Sequence, residues 1–313
     1  MKYFNCHIVI VGCMMLFYSC ASSKTAWLYT SFNEPAKEGL KLMYSYDAKH
    51  WTYFNHLFLQ PQVGKEKIMR DPSMIKDKHG VYHLVWTTEW KGGNGFGYAS
   101  STDLLHWSKE QYIPVMRDEP TVVNVWAPEL FYDDQQDAYM IIWASTIPYR
   151  FARGIEEEDN NHRLYYTITK DFQHLSKAKL FFDPGYSVID GVLLKRADED
   201  YIFVFKDNTR PERDIKVAFA ATPIGPFANA SPALTSSFTE GPAVAHVKDE
   251  WFIYFDAYKN KDFEAIKTKD FKTFEDATKG ISIPTGHKHG TIVQVTKKDI
   301  KKLQQALTHV QQQ

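Results

Sequence analysis

Cysteine is absent from most of this chain of 313 residues. The sequence holds three cysteines, all near its beginning: Cys6, Cys13 and Cys20. Without thiols beyond that point, the body of the protein cannot form disulfides, cysteine-ligated zinc sites or a nucleophilic thiolate. Its fold and its chemistry must therefore come from packing, hydrogen bonds and other side chains.

An excess of charge is also missing. The 37 lysines and arginines nearly balance the 38 aspartates and glutamates, which leaves a formal net charge of −1. This balance provides no electrostatic footprint for nucleic acid, so we expect no nucleic-acid partner. The hydrophobic content of 44% excludes a disordered chain and suffices for a large core. No feature of the sequence indicates a protein partner, and we expect a monomer.

Long apolar runs are scarce: one occupies residues 8–18, and no second run is long enough to span a membrane. The run follows Lys2 and ends before Ser19 and Cys20, which is the pattern of a secretory signal and resembles a bacterial lipobox. We predict a lipoprotein signal peptide over residues 1–19, lipidation of Cys20 and a tether over residues 20–25. The alternative is an ordinary signal peptide cleaved nearby. The predicted protein is an exported bacterial lipoprotein, periplasmic or attached to the outer membrane, that touches the membrane only through its lipid anchor.

Aromatic residues are abundant, at 15% of the chain, and several of them open short apolar runs. Five such runs recur about 50 to 60 residues apart, each of strand length and bounded by turn residues. They begin at Trp27, Tyr82, Tyr139, Tyr201 and Trp251. Each is followed by another strand pattern, a polar turn that is usually centred on aspartate, and a further strand opening on an aromatic or apolar residue.

Another series of strands precedes or separates these runs, and each of its members begins at a turn motif. The motifs are Asp71-Pro72-Ser73-Met74, Ala127-Pro128-Glu129-Leu130, Asp190-Gly191-Val192-Leu193, Glu240-Gly241-Pro242-Ala243-Val244 and His289-Gly290-Thr291-Ile292. Repeats of this length with several strands each predict an all-β fold, a five-bladed β-propeller. The final repeat has only its first strand, so the N-terminal strands are predicted to complete the last blade and close the ring.

The repeats leave no room for a second domain, and we assign residues 26–313 to a single propeller domain. Its tail departs from the strand pattern. Four apolar residues recur there at helical spacing: Ile300, Leu303, Leu307 and Val310. We predict a terminal helix that packs on the propeller rather than one that takes part in function.

The motif residues Asp71, Ala127, Asp190, Glu240 and His289 open the first strands of the five blades, which line the central channel of a propeller, so they should meet at one cavity. Three of them are acids. Glycoside hydrolysis needs one carboxylic acid to protonate the leaving oxygen and a second carboxylate to activate water or attack the sugar, and a third can keep the pKa of the acid raised. The alternative interpretation is that these acids cap turns or bind a structural cation on the axis.

Five motifs, in their order along the chain, resemble those of glycoside hydrolase family 43. They are Arg70-Asp71-Pro72-Ser73-Met74, Trp126-Ala127-Pro128-Glu129-Leu130, Ile189-Asp190-Gly191, Thr239-Glu240-Gly241-Pro242 and His289-Gly290. The resemblance extends over nearly the whole chain after residue 25 and implies the five-bladed propeller. It also implies that Asp71 is the general base and Glu240 the general acid, with inversion of the anomeric centre. Asp190 is implied as an orienting residue that also modulates the pKa of the acid. Related fructan-processing propellers are retaining enzymes and carry Arg-Asp-Pro in a middle blade, whereas here it opens the first complete blade.

Further candidates surround these acids. We expect a sugar to contact residues at the loops of the active face: Arg70, Trp90, Trp126, Lys206, Tyr258 and His289. Residues 206–208 and 256–258 occupy the same loop position in neighbouring blades. The acidic run at residues 156–161 is interpreted as a solvated loop, and Glu129 as structural. Hydrolysis requires no cofactor, although the resemblance allows an axial calcium ion or another cation supported by His289.

The leading hypothesis is an inverting exo-glycosidase acting on plant polysaccharides or oligosaccharides that contain arabinose or xylose. The family resemblance favours an α-L-arabinofuranosidase, with β-xylosidase or another specificity of the family as the alternative. A second hypothesis is a catalytically silent glycan-binding lipoprotein, since propellers often bind without chemistry. A third is a retaining glycosidase or transglycosidase of a related five-bladed family.

Overall fold

The computed structural model describes residues 24–228 and 230–310, with the side chain of residue 310 excepted. Two of the sequence predictions therefore lie outside the described residues. They are the signal peptide of residues 1–19 and the lipidation of Cys20, together with most of the tether.

The chain folds into five antiparallel sheets, which are the blades of a β-propeller. Blade I contains β4 (Arg70–Lys76), β5 (Tyr82–Thr87), β6 (Phe96–Ser101) and β7 (Gln111–Ile113). Blade II contains β8 (Trp126–Asp133), β9 (Ala138–Ser145), β10 (Arg163–Thr169) and β11 (Lys179–Phe182). Blade III contains β12 (Val188–Ala197), β13 (Asp200–Asp207) and β14 (Ile215–Ala220). Blade IV contains β15 (Thr239–Val247), β16 (Glu250–Ala257), β17 (Asp262–Thr268) and β18 (Glu275–Asp276).

Blade V joins the two ends of the ring, as predicted. Its strand order is β19 (Ile292–Thr296), β1 (Thr25–Ser31), β2 (Lys41–Ser45) and β3 (Thr52–Tyr53). β19 and β1 are antiparallel, with Leu28 opposite Val293. Because β19 pairs with β1, strands from both ends of the described chain share one blade, and this pairing closes the ring.

The second strand of each blade is the aromatic run recognised in the sequence, and its side chains fill the space between blades. Trp86, Trp143 and Tyr254 are fully buried on β5, β9 and β16. Successive side chains of a strand point to opposite faces, so each of these strands packs against both neighbouring blades. This explains why the runs are apolar throughout instead of alternating with polar residues.

The turn after the third strand is built in the same way in four of the blades. In blade I, Asp103 Oδ1 accepts hydrogen bonds from the backbone N–H groups of Leu105 and His106. Asp47, Asp171 and Asp270 accept equivalent pairs of N–H bonds in the other three turns. The residue after each aspartate has positive φ, which this local hydrogen bonding helps to hold.

Among the residues that the structure describes, blade III has no fourth strand, although the sequence pattern had predicted one opening at Phe227. Thr222 stands here in place of the turn aspartate, and Pro226 and Pro232 carry no N–H group for a ladder. The segment still follows β14, since Ala228 N donates to Phe219 O at 2.7 Å and Ser231 N to Val217 O at 2.8 Å. With a third bond, from Leu234 N to Ile215 O at 2.9 Å, these backbone hydrogen bonds take the place of a strand ladder.

The predicted terminal helix is α1, at Lys297–Val310, directly after β19. Ile300, Leu303 and Leu307 are buried in the cluster that also holds Leu28 and Val293. The helix thus packs on the blade that closes the ring. No helix in residues 24–228 and 230–310 has the length and apolarity needed to cross a membrane.

Candidate active site

The first strand of each of blades I to IV begins with an irregularity at the same place. The register of pairing shifts after Arg70, Trp126, Ile189 and Glu240. The next residue has positive φ in every case: Asp71 at 49°, Ala127 at 46°, Asp190 at 53° and Gly241 at 60°. Bulges of this kind re-aim a side chain, and here they direct residues of four blades toward the propeller axis.

This geometry corrects the equivalence read from the sequence. Asp71 and Asp190 occupy the positive-φ position of their bulges, whereas Glu240 lies one residue earlier, at the position of Arg70 and Trp126. Gly241 takes the positive-φ position in blade IV. Glycine adopts this conformation without strain because it has no Cβ atom. The three acids therefore reach the axis from two different backbone positions, although all three interact electrostatically.

Asp71 is held by two donors from different blades. His289 Nε2 lies 3.0 Å from Asp71 Oδ1, and Thr87 Oγ1 donates to Asp71 Oδ2 at 2.9 Å. Thr87 also accepts from Ala127 N at 2.8 Å, which links the bulges of blades I and II. Burial alone would raise the pKa of Asp71, but the hydrogen bonds from His289 and Thr87 and the positive charges lower it below its usual value. Sequence reasoning did not identify Thr87, because its role depends on a neighbouring blade.

His289 lies between two carboxylates. Its Nδ1 is 2.7 Å from Asp256 Oδ2, opposite the contact of Nε2 with Asp71. Burial lowers the pKa of His289, but the hydrogen bonds and charges of Asp256 and Asp71 outweigh it and raise this pKa well above its usual value. The ring lies directly on Gly241, where an added Cβ would come within 1.9 Å of His289 Cγ. The sequence predicted that His289 lines the cavity, and the structure places it there as a bridge between acids.

Glu240 and Asp190 form the other side of the site. Lys206 Nζ lies 2.9 Å from Glu240 Oε2, and Gly241 N donates to Asp190 Oδ2 at 3.0 Å. Burial raises the pKa of Asp190 to about 6, with the charges of Glu240 and Asp71 acting in the same direction. Burial also acts to raise the pKa of Glu240, but the ammonium of Lys206 and the charge of His289 outweigh burial, and the pKa of Glu240 is below its usual value.

Lys206 is itself buried, at 3% exposure. Its ammonium lies 5.1 Å from the centre of the Tyr258 ring, a cation–π distance. The hydroxyl of Tyr258 is buried and has no hydrogen-bond partner among the described residues. Both residues were predicted to contact sugar, and the structure brings both to the Glu240 side of the site.

Two other residues predicted to contact sugar, Trp90 and Trp126, form an aromatic wall. The indole rings of Trp90 and Trp126 are 4.6 Å apart, and Trp126 Nε1 donates to Trp90 O at 2.8 Å. The guanidinium of Arg70 lies 4.9 Å from the Trp90 ring and pairs with Glu34. Trp90 is 48% exposed, which leaves part of its ring available to a ligand.

His162 extends this wall and was missed in the sequence. Its ring stacks on Trp126 with the ring centres 4.8 Å apart. The ring is fully buried, and burial lowers its pKa to about 4, so it is neutral near neutral pH. No spacing in the sequence places His162 beside Trp126, because the contact depends on the fold of a long insertion.

The acidic run at residues 156–161 of that insertion, which spans residues 146–162, was interpreted as a solvated loop, and the structure corrects this in part. Glu156 is completely buried, and its Oε1 accepts from Arg210 N at 2.8 Å. Asp159 reaches the loop of blade I, where its carboxylate lies 2.6 Å from Lys91 Nζ. The insertion is therefore tied to blades I and III, and only part of its acidic run is solvated.

The axial channel beneath the acids is narrow. Its cavity of about 30 Å³ is lined by Asp71, Asp190, His289 and Glu129. Burial raises the pKa of Glu129 to about 7, and Thr291 Oγ1 donates to Glu129 Oε2 at 2.8 Å. This volume matches one water molecule and not a sugar ring, so a sugar must bind above the acids, against the aromatic wall.

One group in the described part of the chain is close enough to share a cation. Ligand atoms of Glu240, Asp256 and His289 all lie within 4.8 Å of one another, so this group could hold a metal ion. In the present arrangement the donors already have partners, since His289 bridges two carboxylates and Glu240 pairs with Lys206. An ion at this place would have to displace those contacts, and the chain's own cations already neutralise the acids.

Comparison with known proteins agrees with the fold. A thermostable family-43 glycoside hydrolase superposes with a TM-score of 0.58 at 14% identity, covering 84% of this chain and 92% of that chain. An α-L-arabinofuranosidase from Lactobacillus brevis superposes with a TM-score of 0.53 at 17% identity, covering 66% of this chain and 72% of that chain. At these identities the likeness concerns the fold.

The sequence also has a curated relative. It is an α-L-arabinofuranosidase from Bifidobacterium longum subsp. longum, 26% identical over 193 residues, which are 55% of this chain. The match spans 18% of the relative's own length. Residues 23–301 match the family described as "Probable glycosyl hydrolase domain". Because this match extends over most of the chain, the protein belongs to that glycosyl hydrolase family, which is related to glycoside hydrolase family 43.

Proposed function

We propose that this protein is an inverting, exo-acting α-L-arabinofuranosidase that acts on plant polysaccharides or oligosaccharides containing arabinose or xylose. The observation that supports it most directly is the meeting of Asp71, Asp190 and Glu240 at the mouth of the axial channel, each with different partners. Inversion needs an ionised carboxylate that activates water and a carboxylic acid that protonates the leaving oxygen. Differences in environment are what separate such roles among similar side chains.

Asp71 is proposed as the general base. Its pKa is lowered and two donors fix its carboxylate, so it is ionised and oriented before substrate binds. Each carboxylate oxygen has a further lone pair, with which it can accept a proton from water. Inversion requires about 6.5–9.5 Å between the base and acid carboxyl groups, which leaves room for that water.

Glu240 is proposed as the general acid, and it must be protonated when the sugar is bound. Lys206 opposes this in the unliganded protein, since the ion pair lowers the pKa of Glu240. We propose that the bound sugar takes hydrogen bonds from Lys206 and separates it from Glu240, after which burial raises the pKa of the acid. Asp190 assists, because repulsion between two neighbouring carboxylates disfavours ionisation of both.

The sugar is proposed to lie against Trp90 with its apolar face, above the channel. The names of the relatives favour arabinofuranose, and β-xylosidase activity is the alternative. We further propose that hydrolysis needs no cofactor, because His289 and Lys206 already supply positive charge among the acids.

The experiment is sugar release from aryl α-L-arabinofuranosides, β-D-xylosides and β-D-galactosides. We expect the wild type to release arabinose, and Asp71→Asn and Glu240→Gln each to lower kcat by at least about 10³-fold while the fold is kept. Glu250→Gln is the matched control, since Glu250 pairs with Lys267 at the start of β16 on the opposite face. Proton NMR of the first product anomer tests inversion. Normal turnover in either site variant would remove that residue from its role.

A glycan-binding protein without catalysis is the second candidate, and the Lys206–Glu240 ion pair is the observation that favours it. If Glu240 is a working acid, Lys206→Met should raise its pKa and move the basic limb of the kcat/KM profile to higher pH. If the protein only binds, neither wild type nor Lys206→Met will hydrolyse any substrate, while both will bind oligosaccharide in calorimetry.

A further inference from the structure

A second cavity opens on the active face, on the outer side of the Trp90 loop. It has a volume of about 510 Å³, against about 30 Å³ for the axial channel. The loop between β5 and β6, residues 88–95, and the connection between β7 and β8, residues 114–125, border it. Both segments join strands at the end of blade I that carries Asp71. The cavity and the acids therefore open on the same side of the propeller.

The polar groups that line this cavity are held in place. Glu89 is 4% exposed, and its carboxylate accepts from Lys65 N at 2.7 Å and from Thr88 Oγ1 at 2.9 Å. Tyr112 OH donates to Asn94 Oδ1 at 2.9 Å and accepts from Asn94 N at 3.0 Å. The carboxylate and amide oxygens retain acceptor capacity after these bonds. Fixed donors and acceptors without a dominant charge suit a neutral ligand rich in hydroxyl groups.

The rim of the cavity adds a free cation and a small apolar surface. Arg117 is exposed, and its guanidinium has no hydrogen bond or ion pair within the described chain; Pro120 and Val122 lie beside it. A planar guanidinium can donate to two hydroxyl groups of one sugar, and apolar side chains can cover a sugar's C–H face. The volume falls within the range of small-ligand sites, about 300–1,000 Å³.

The Trp90 loop connects this cavity with the catalytic acids. Trp90 faces Arg70 and Trp126, while Gly92 and Asn94 of the same loop line the cavity. Gly92 N donates to Val123 O at 2.8 Å, and Met116 N to Asn94 O at 2.9 Å, which ties the loop to the other wall. A chain of sugars with one unit beside Trp90 would reach the cavity by crossing one loop.

We propose that this cavity is a distal sugar-binding site, the rim site, which takes units of an oligosaccharide remote from the bond being hydrolysed. The inference rests on the proposed glycosidase function and adds that the substrate is a chain of several sugars. Binding energy gained there raises kcat/KM for long substrates and leaves short aryl glycosides unaffected.

The test compares Arg117→Ala and Tyr112→Phe on two kinds of substrate. We expect kcat/KM for arabinopentaose, or for xylotetraose carrying an arabinofuranosyl branch, to fall about tenfold in Arg117→Ala, chiefly through KM. The same variant should hydrolyse 4-nitrophenyl α-L-arabinofuranoside within about twofold of wild type. Tyr132→Phe is the matched control, because this tyrosine lies at the end of β8 on the opposite face.

The outcomes separate the two proposals. Equal losses on both substrates, or no loss on the oligosaccharides, would overturn the rim site while leaving the glycosidase in place. If the wild type hydrolyses nothing, the proposed function fails. Calorimetry with the same oligosaccharides then decides whether sugar binds at the rim site. Weaker binding by Arg117→Ala than by wild type and Tyr132→Phe would then support a sugar site at the rim, and equal binding would refute it.

Discussion

At the scale of single residues, the chemistry of the site depends on which carboxylate has a cationic partner. Asp71 contacts the imidazole of His289, Glu240 contacts the ammonium of Lys206, and Asp190 contacts a backbone N–H. Their pKa values accordingly differ in direction: lowered for Asp71 and Glu240, raised to about 6 for Asp190. Environment therefore separates the pKa values of similar side chains, and Asp190 is the first of the three to take up a proton as the pH falls toward 6.

Asp256 is expected to act through His289. Replacing it in Asp256→Asn removes the charge that favours the imidazolium, so His289 loses its proton more easily and the pKa of Asp71 rises. A base works only when ionised, so the acidic limb of the kcat/KM profile should move to higher pH. Measuring that profile beside Asp249→Asn, a substitution on the turn between β15 and β16, checks the prediction. An unchanged acidic limb would show that the bridge does not control Asp71.

Removal of metal ions is expected to have no effect on hydrolysis, because side-chain cations already occupy the places where an ion would neutralise the acids. The measurement is the rate after extensive dialysis against EDTA, with and without added calcium. A loss restored by calcium would contradict the proposal that no cofactor is required.

At the scale of elements, the bulge that opens the inner strand in each of blades I to IV is the unit that builds the site. Gly241→Ala would place a methyl group on the His289 ring, whereas Gly80→Ala, also at positive φ, meets no atom within 4 Å. Both variants should lose about 1 kcal/mol of stability through backbone strain, and Gly241→Ala should lose about 1–3 kcal/mol more because its methyl group overpacks against the buried ring. Only Gly241→Ala should lose activity, by about tenfold or more, because a misplaced group costs rate steeply. Thermal unfolding together with kcat measures both.

The repeated aspartate turn is expected to stabilise each blade that has it. Asp103→Ala removes the acceptor for two backbone N–H groups and should lower the free energy of unfolding by about 1–2 kcal/mol. Asp103→Asn keeps an oxygen in that place and should cost less. The pKa of Asp103 is lowered to about 2, so this contribution is present above the usual aspartate pKa and is lost as pH falls toward 2. Urea unfolding at several pH values measures it.

Strand-level features were largely predictable from the sequence, and contacts between blades were not. The aromatic runs identified all five second strands, because strand burial on both faces leaves a local signature. The sequence placed Glu240 at the same strand position as Asp71 and Asp190, which is wrong by one residue. A bulge inserts a residue into a strand without a local sequence signal. Thr87 was missed because it links two blades, and His162 was missed because its contact with Trp126 depends on the fold of a long insertion. Thr222, Pro226 and Pro232 were a sequence signal that the described residues of blade III would form no fourth strand.

At the scale of the whole molecule, the ring is closed by β19 against β1 and covered there by α1. Leu303→Ala should lower the free energy of unfolding by about 2–5 kcal/mol, the usual range for a buried leucine. Lys301→Ala, on the exposed side of the same helix, should change it by less than about 0.5 kcal/mol. Denaturant unfolding of both variants tests whether α1 is part of the cooperative fold; equal stability would show that it is not.

The closure of blade V also decides which way the molecule faces its surroundings. Inner strands start at the active face, so β19 ends on the opposite side, and Thr25 pairs there with Thr296. The chain therefore enters the propeller from its back. If Cys20 is lipidated as predicted, the membrane lies behind the propeller and the mouth of the proposed active site points away from the membrane.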